Sequence, residues 1–374
     1  MMTIYVIDLE SIPTRYTCEW KTHLPEQLKQ HCNDVVVISG PDDLPTNTTP
    51  GMFLNFAATN IYKAVQVEKF SRLFSDGKIK DGDYFLFTDA WHPGILNLKY
   101  MSSLLGINIK IGGLWHSGSY DPADGLGRII GDSPWIRHTE NALYEAIDHN
   151  YFATKFHIDL FMETYGYQYD SDSCDDLEEC TRNWTDYKIS CGKIVQTGWP
   201  MDYMKTTLAP YKNLSKRDLI LFPHRIAPEK QVDIFRDLAL SLPQYEFVVC
   251  QDTTLSKREY HTLLGESKVV FSASIQETLG IVNCSEGPLL NSIPFCPDRL
   301  SYAEIFSDFS EFLYPSEWTE DWDSYLLHKD AIMARLCYVM EHYDEIQPRI
   351  ETYIENTYKN YFESDALIAN LLRL

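Results

Sequence analysis

Arg225 and Lys230 stand five residues apart in Asp218-Leu-Ile-Leu-Phe-Pro-His-Arg225-Ile-Ala-Pro228-Glu-Lys230, an apolar strand running into a turn and a helix start. Pro228 suits the first helical turn, where its missing N–H would be unpaired anyway. The N-terminus of a helix carries unpaired N–H groups and partial positive charge. Two cations beside it suit a diphosphate better than a neutral ligand; taken alone, the residues also fit an arginine in a solvated turn. In the first half, Asp89 follows the apolar run Tyr84-Phe-Leu-Phe-Thr88, in Asp89-Ala-Trp-His92-Pro-Gly94. A carboxylate there can hold or deprotonate a substrate hydroxyl, or cap the helix starting near Pro93. Trp91 and Trp115 offer flat faces for a ring, with core packing as the alternative. Asp81-Gly-Asp83 and Asp170-Ser-Asp172 have the look of metal-binding carboxylate pairs. Asp81-Gly82, however, reads as a turn before a strand, and Asp170 belongs to the acidic run 169–179, an exposed loop.

These residues need strands and helices to present them, and the pattern supplies both. Short apolar strands at 3–8, 34–39, 84–88, 108–114 and 193–197 alternate with helical stretches at 18–31, 60–74, 94–105 and 140–148. A second series has strands at 218–223, 246–250, 269–272 and 293–296, with helices near 229–241 and 256–264. Such alternation means βαβ units and two largely parallel, helix-covered sheets. Ligands of these sheets bind beyond the carboxyl ends of the strands. The expected domains are 1–202, a linker at 203–217, a second domain at 218–345, and helices at 346–374 packing back on the first. The linker stretch carries Lys205, Lys212, Lys216 and Arg217 with no acid beyond Asp202, so it is either a solvated connector or an anion-contacting rim.

The bulk numbers agree with a two-domain globular chain. It has 374 residues, 44% hydrophobic and 23% charged, too long for one ordinary core. No apolar run approaches the ~20 residues of a membrane helix, so no membrane association is expected. Met1 leads directly into an apolar strand without a signal-like segment. Nine cysteines at scattered positions, with no Cys-x-x-Cys, suggest reduced thiols, and the expected compartment is the cytoplasm. A formal charge of −22 repels polyanions and opposes a broad nucleic-acid footprint.

The segment Ser274-Ile-Gln-Glu277-Thr-Leu279-Gly280, followed by Glu286-Gly-Pro-Leu-Leu-Asn291-Ser-Ile-Pro294 and Pro297-Asp-Arg-Leu-Ser-Tyr-Ala-Glu304-Ile, completes a pattern with Arg225 and Lys230. Over residues 218–306 the chain resembles retaining GT-B glycosyltransferases of the group 1 type. It looks closest to the branch with the tRNA-queuosine mannosyltransferases, and it is similar in general look to tailed-phage enzymes that glycosylate DNA bases. The resemblance implies an α/β GT-B fold: two facing Rossmann-like domains with a central interdomain cleft and a helical C-terminal tail. It puts Arg225 and Lys230 on the donor diphosphate, Glu277 by the donor sugar's hydroxyls, Glu286 on the nucleotide ribose, and the Leu279-Gly280 backbone near the sugar or phosphates. Leu279 replaces the usual aromatic residue, and Asn291 stands where the family has glycine. Glu286 comes nine residues after Glu277 where the family has eight, so Ser285 holds the in-register position and one residue must be absorbed. His116, in the loop Trp115-His-Ser-Gly118 after a strand, matches a histidine that faces the donor sugar in related enzymes and can stabilise developing charge. The first strand ends Asp8-Leu-Glu10 without the glycine pair often found there.

The implied partner is a nucleotide-sugar, with no cofactor and no essential metal, because arginine, lysine and helix ends neutralise the leaving diphosphate. The acceptor is a hydroxymethylated base in phage DNA, or a saccharide or small molecule. A GT-B epimerase or phosphorylase and a non-catalytic sugar-nucleotide-binding module are the competing classes. Removing one contact to the leaving group costs ~2.7–4 kcal/mol in the transition state. Arg225→Ala or Lys230→Ala is therefore expected to cut turnover by orders of magnitude while leaving the fold intact; near-wild-type steady-state turnover would defeat the assignment.

Overall fold

The structure, a computed structural model, describes residues 2–12, 17–45, 47, 54–131, 133–165 and 177–373. Asp170, Asp172 and most of the acidic run lie outside the described residues. Two compact units make up the chain, one of Met1–Pro200 with Ser364–Leu374, the other of Met201–Glu363. The first is built on a six-stranded sheet of β1 (Ile4–Ile7), β2 (Val35–Ile38), β3 (Tyr84–Phe87), β4 (Lys110–Leu114), β5 (His149–Phe152) and β6 (Ile194–Gln196), in the order β2-β1-β3-β4-β5-β6. The second holds β7 (Arg217–Phe222), β8 (Glu246–Val249), β9 (Ser267–Phe271), β10 (Ile293–Pro297) and β11 (Leu313–Tyr314), in the order β11-β10-β9-β7-β8. All pairings are parallel.

Parallel sheets are covered by helices on both faces, so their inner strands read as unbroken apolar runs. β1 (Ile-Tyr-Val-Ile) and β3 (Tyr-Phe-Leu-Phe) are buried along their whole length. Each sheet reverses direction once. From β1 the chain goes out to β2 and returns on the other side of β1 as β3; from β7 it goes out to β8 and returns beside β7 as β9. At such a switch point the loops diverge and leave a crevice beyond the strands' carboxyl ends. Glu10 and Asp89 follow β1 and β3, while Arg225, Lys230 and Glu277 follow β7 and β9.

Two strands escaped the apolar pattern. β5 carries Asn150 at its buried centre, where Oδ1 accepts from Trp115 Nε1 (2.8 Å) and Nδ2 donates to the carbonyls of Tyr144 and Lys193 (3.2 Å each). β11 is only two residues long. Residues 203–217 are not a solvated connector. They contain the helix Tyr203–Leu208 and the turn Ala209–Tyr211. Lys216 Nζ donates to the carbonyls of Ser267 and Leu290 (2.7 Å each) and to Ser292 Oγ (3.0 Å). Lys205 pairs with Glu363, and Arg217 with Glu246 and Glu266. These three cations bind inside the second unit. At the end of the chain, Asn370 Oδ1 accepts from Tyr151 OH (2.7 Å) within the first unit. Cys18, Cys32, Cys191, Cys250, Cys284, Cys296 and Cys337 are free, but Cys180 is disulfide-bonded, against the expectation of reduced thiols throughout. Among the described residues no helix is long and apolar enough to cross a membrane.

Four histidines are buried: His92, His157, His224 and His261. Burial pushes the first two down to about 3 and the others to about 4. Folded imidazoles thus stay neutral while unfolded ones take up protons below pH ~6.5. Their contribution is fully present above pH ~6.5 and is lost as the solution is acidified toward the folded values near 4 and 3. Asp8 and Glu286, whose burial raises their carboxyls, bind protons early in the folded state and soften the loss. Urea titrations from pH 7 to 4 should show falling stability, and His157→Gln should flatten that fall by about one proton's worth of slope; parallel curves for the two proteins would refute the assignment.

Candidate functional site

In the second unit the loops after β7 and β9 are tied together by charge. Lys230 Nζ donates to Glu277 Oε1 (2.6 Å) and to the Gln276 carbonyl (2.5 Å). Its side chain is 7% exposed and that of Glu277 18%. Arg225 Nε donates to Glu229 Oε1 (2.9 Å), and its guanidinium closes a second contact on the same oxygen. The Arg225 side chain is 31% exposed, whereas Glu229 is buried. Burial alone would raise the Glu277 carboxyl, but Lys230, His224 and Arg225 outweigh it and hold Glu277 below the usual carboxylate range. His224 Nδ1 lies 3.9 Å from that carboxylate and stays neutral at physiological pH. Arg225, Lys230 and Glu277 are thus brought together as expected, with one difference: each cation already has an internal carboxylate partner.

The local backbone differs from the expected helix start. Pro228–Lys230 is a single tight turn, closed by Gln231 at φ 52°, and the helix begins at Val232. Gln231 holds the left-handed turn with its amide, which donates to the carbonyls of Ala273 and Thr319 (2.7 Å each). Arg299 is half-buried beside it, its guanidinium donating to the carbonyls of Ser274, Ala273, Ser316 and Thr319. Together they brace the loop that carries Glu277. Neither was anticipated, since nothing in a glutamine or an arginine in sequence announces that it will bind backbone carbonyls.

The irregular spacing has a structural answer. Val282–Glu286 forms a π turn, in which one extra residue is looped into a helix without breaking it. Ser285 faces inward and bonds Tyr358 OH (3.0 Å). Glu286 accepts from Tyr260 OH (2.6 Å) and is half-buried. Asn291 sits at φ 60°, the left-handed region that glycine occupies freely and asparagine tolerates best among other residues. Leu279 is buried; Gly280 sits at φ 70°, where a Cβ would meet the Tyr302 ring at 2.6 Å. The close approach that glycine permits here is to Tyr302.

In the first unit Asp89 has both oxygens engaged. Oδ2 accepts from Lys63 Nζ (2.9 Å) and Oδ1 from the Trp91 amide (2.9 Å). Burial would raise its carboxyl, yet Lys63 and His116 override this and hold it at about 2. So weak a base suits holding a hydroxyl better than deprotonating it. Nor does Asp89 cap the following helix, whose N-cap is Pro93 without a side-chain bond. His116 Nε2 lies 2.6 Å from the Thr88 carbonyl and must donate to it, and the ring packs against Trp20 and Trp199. Trp115 is fully buried and belongs to the core. Trp91 lines a cavity and donates through Nε1 to Glu140 (2.8 Å). Glu140, fully buried, also accepts from the Ser119 amide and hydroxyl (2.7 Å each) and from Tyr165 OH. Asp81 and Asp83 accept from backbone amides of Asn108, Thr3 and Lys80 around a turn.

No known family profile and no curated sequence matches the chain. Solved structures do match over its full length. Sucrose-phosphate synthase from Thermosynechococcus elongatus is 11% identical with a TM-score of 0.58, the match covering all of this chain and 98% of that one. HepE from Anabaena, solved in complex with UDP and glucose, is 12% identical with a TM-score of 0.56, over all of this chain and 99% of its own. A glycosyltransferase from Rickettsia africae is 11% identical with a TM-score of 0.56, over all of this chain and 97% of its own. The fold is GT-B, with two Rossmann-like units on parallel sheets.

Because Lys230 is buried against Glu277, its removal bears on stability as well as on any ligand, which departs from the expectation of an intact fold. Stripping one partner from a buried ion pair costs about 3–5 kcal/mol. Lys230→Met should lower the urea midpoint accordingly, and adding Glu277→Leu should restore most of the loss. Additive effects in this double-mutant cycle would mean that the two side chains do not interact.

Proposed function

We propose that the chain is a glycosyltransferase that takes a nucleotide-sugar at the switch point between β7 and β9. The observation that carries this reading is the convergence of Arg225, Lys230 and Glu277 there, on a fold whose solved examples include HepE with UDP and glucose. In this reading Arg225 and Lys230 take the diphosphate. Lys230 is held in place by Glu277, and Arg225, the more exposed of the two cations, turns from Glu229 to the phosphates. Glu277 accepts hydrogen bonds from the sugar's hydroxyls, and Glu286, rather than the inward-facing Ser285, accepts them from the ribose. The Leu279-Gly280 backbone passes the sugar.

As the bond between anomeric carbon and phosphate oxygen breaks, its electron pair goes to the diphosphate. Charge on that leaving group is stabilised by fixed cations, so the chemistry needs no metal. The acceptor's hydroxyl oxygen forms the new bond with retained configuration and its proton passes to the departing diphosphate. In the first unit His116 faces the donor sugar, as the resemblance implies, and Asp89 holds the acceptor hydroxyl. A hydroxymethylated DNA base is one acceptor consistent with the sequence resemblance.

Calorimetric titration with UDP and UDP-glucose tests the donor half. Both should bind, with affinity unchanged by EDTA, and Arg225→Gln should weaken UDP at least about tenfold through loss of a charge-assisted contact. A protein that binds neither nucleotide sinks the reading. Donor turnover without any acceptor would instead favour an epimerase or phosphorylase.

A further inference from the structure

The first unit contains a cavity of about 540 Å³ at the switch point between β1 and β3. That volume falls in the ~300–1,000 Å³ range of small-molecule sites. One wall comes from the helices Gly125–Ile130 and Pro134–Ala146 and is apolar: Leu126, Ile129, Ile130 and Trp135. Ile129 and Trp135 are 62% and 57% exposed, large apolar side chains placed at a cavity rather than in a core. The opposite end is polar, and its groups are of two kinds. Lys63 and Asp89 are bonded to each other. Glu10 and Thr59 are not: among the described residues, both Glu10 carboxylate oxygens and Thr59 Oγ1 are buried without a hydrogen-bond partner. Thr59 is 6% exposed. Both residues line this cavity and also a smaller pocket of about 50 Å³.

An unpaired buried carboxylate is unfavourable for the free protein, so its retention points to a partner that arrives from outside. Carboxyl oxygens accept hydrogen bonds, and a partner that donates suits them. A hydroxyl on an otherwise apolar body satisfies both ends of the cavity. Nucleic acid fits less well, because phosphates are bound chiefly by lysine and arginine. Among the described lining residues Lys63 is the one such cation, and it is committed to Asp89 and the Trp91 carbonyl.

We infer that this cavity seats the acceptor, a small, largely apolar alcohol or phenol, whose hydroxyl meets Glu10 and Thr59 once their oxygens, closed to solvent in the free protein, turn toward the cavity. The word acceptor rests on the glycosyltransferase reading; the binding site itself does not. Glu10 is a positioning residue for that hydroxyl.

The test is calorimetric titration of the full chain with 2-naphthol, in the absence of nucleotide, alongside an oligonucleotide containing 5-hydroxymethylcytosine. Wild type should bind 2-naphthol, Glu10→Leu should weaken it about tenfold, and Trp135→Ala, at an exposed rim position, should weaken it while folding normally. Glu10→Leu should at the same time raise the melting temperature of the free protein, which loss of a merely structural contact would not do. With UDP-glucose present, mass spectrometry should detect the naphthyl glucoside. Wild type that ignores 2-naphthol, or naphthol binding indifferent to both substitutions, overturns the site. Uptake of the oligonucleotide with no naphthol binding overturns it in favour of a nucleic-acid acceptor. Glu10-dependent naphthol binding in a protein that does not bind UDP supports the site and sinks the glycosyltransferase reading instead.

Discussion

In the second unit the loops after β7 and β9 are held together by a buried ion pair, Lys230 with Glu277. The two side chains come from loops after β7 and β9, strands adjacent in the sheet but separated in the chain by a helix, β8 and a second helix. Neither charge is stable alone in that environment, since burial disfavours the ionised form of each. Paired, they fix the distance between the loops. Gln231 and Arg299 then brace the same loop from behind by donating to its carbonyls. A ligand with a diphosphate and a hydroxylated ring would meet cation and carboxylate already set at a fixed spacing, which is the preorganisation that electrostatic catalysis requires.

The first unit solves the equivalent problem differently. Its switch point is braced mostly by neutral or fully satisfied polar groups. Gln66 donates to the carbonyls of Asp8 and Ile38 and accepts from His92 Nε2 (3.0 Å), while His92 Nδ1 accepts from the Gly94 amide. That fixes the tautomer of His92 and links the loops after β1, β2 and β3. Glu140 does the same for the loop after β4, binding Ser119 and Trp91. Among the described residues the oxygens of Glu10 and Thr59 are buried without a hydrogen-bond partner, as are Asn141 Oδ1 and His157 Nδ1 in the same unit; Glu10 and Thr59 differ from these in lining the cavity.

Much of the architecture was legible in the residues. Unbroken apolar runs such as Ile4-Tyr-Val-Ile7 and Tyr84-Phe-Leu-Phe87 announce strands of a covered parallel sheet, and the intervening helical periodicity announces the crossovers. β5 was hidden because its centre is Asn150, whose polarity is satisfied by Trp115 and Lys193, both distant in sequence, and by the Tyr144 carbonyl at the end of the preceding helix. The basic stretch 203–217 was misleading for the same reason. Lys216 looks solvated until Ser267, Leu290 and Ser292 fold around its ammonium. In the site, Arg225 and Lys230 were found from their place beside a strand end and Glu277 from the family resemblance, but Glu229, Gln231, Arg299 and Glu140 were not, since each acts through partners that only the fold supplies.

Local chemistry therefore determined what could be read from residues alone: which segments are strands and helices, and where two cations stand beside a strand end; the roles of Glu277 and Glu286, and the extra residue between them, came from the family resemblance. Tertiary structure decided the rest. It formed a π turn at Val282–Glu286, turned Ser285 inward, gave each cation a carboxylate, and left the Glu10 oxygens without a hydrogen-bond donor among the described residues. The physical reason is that backbone propensity and apolar periodicity act over a few residues. The protonation and partners of a buried charge are set by whatever groups the fold brings within hydrogen-bonding distance, at any separation along the chain.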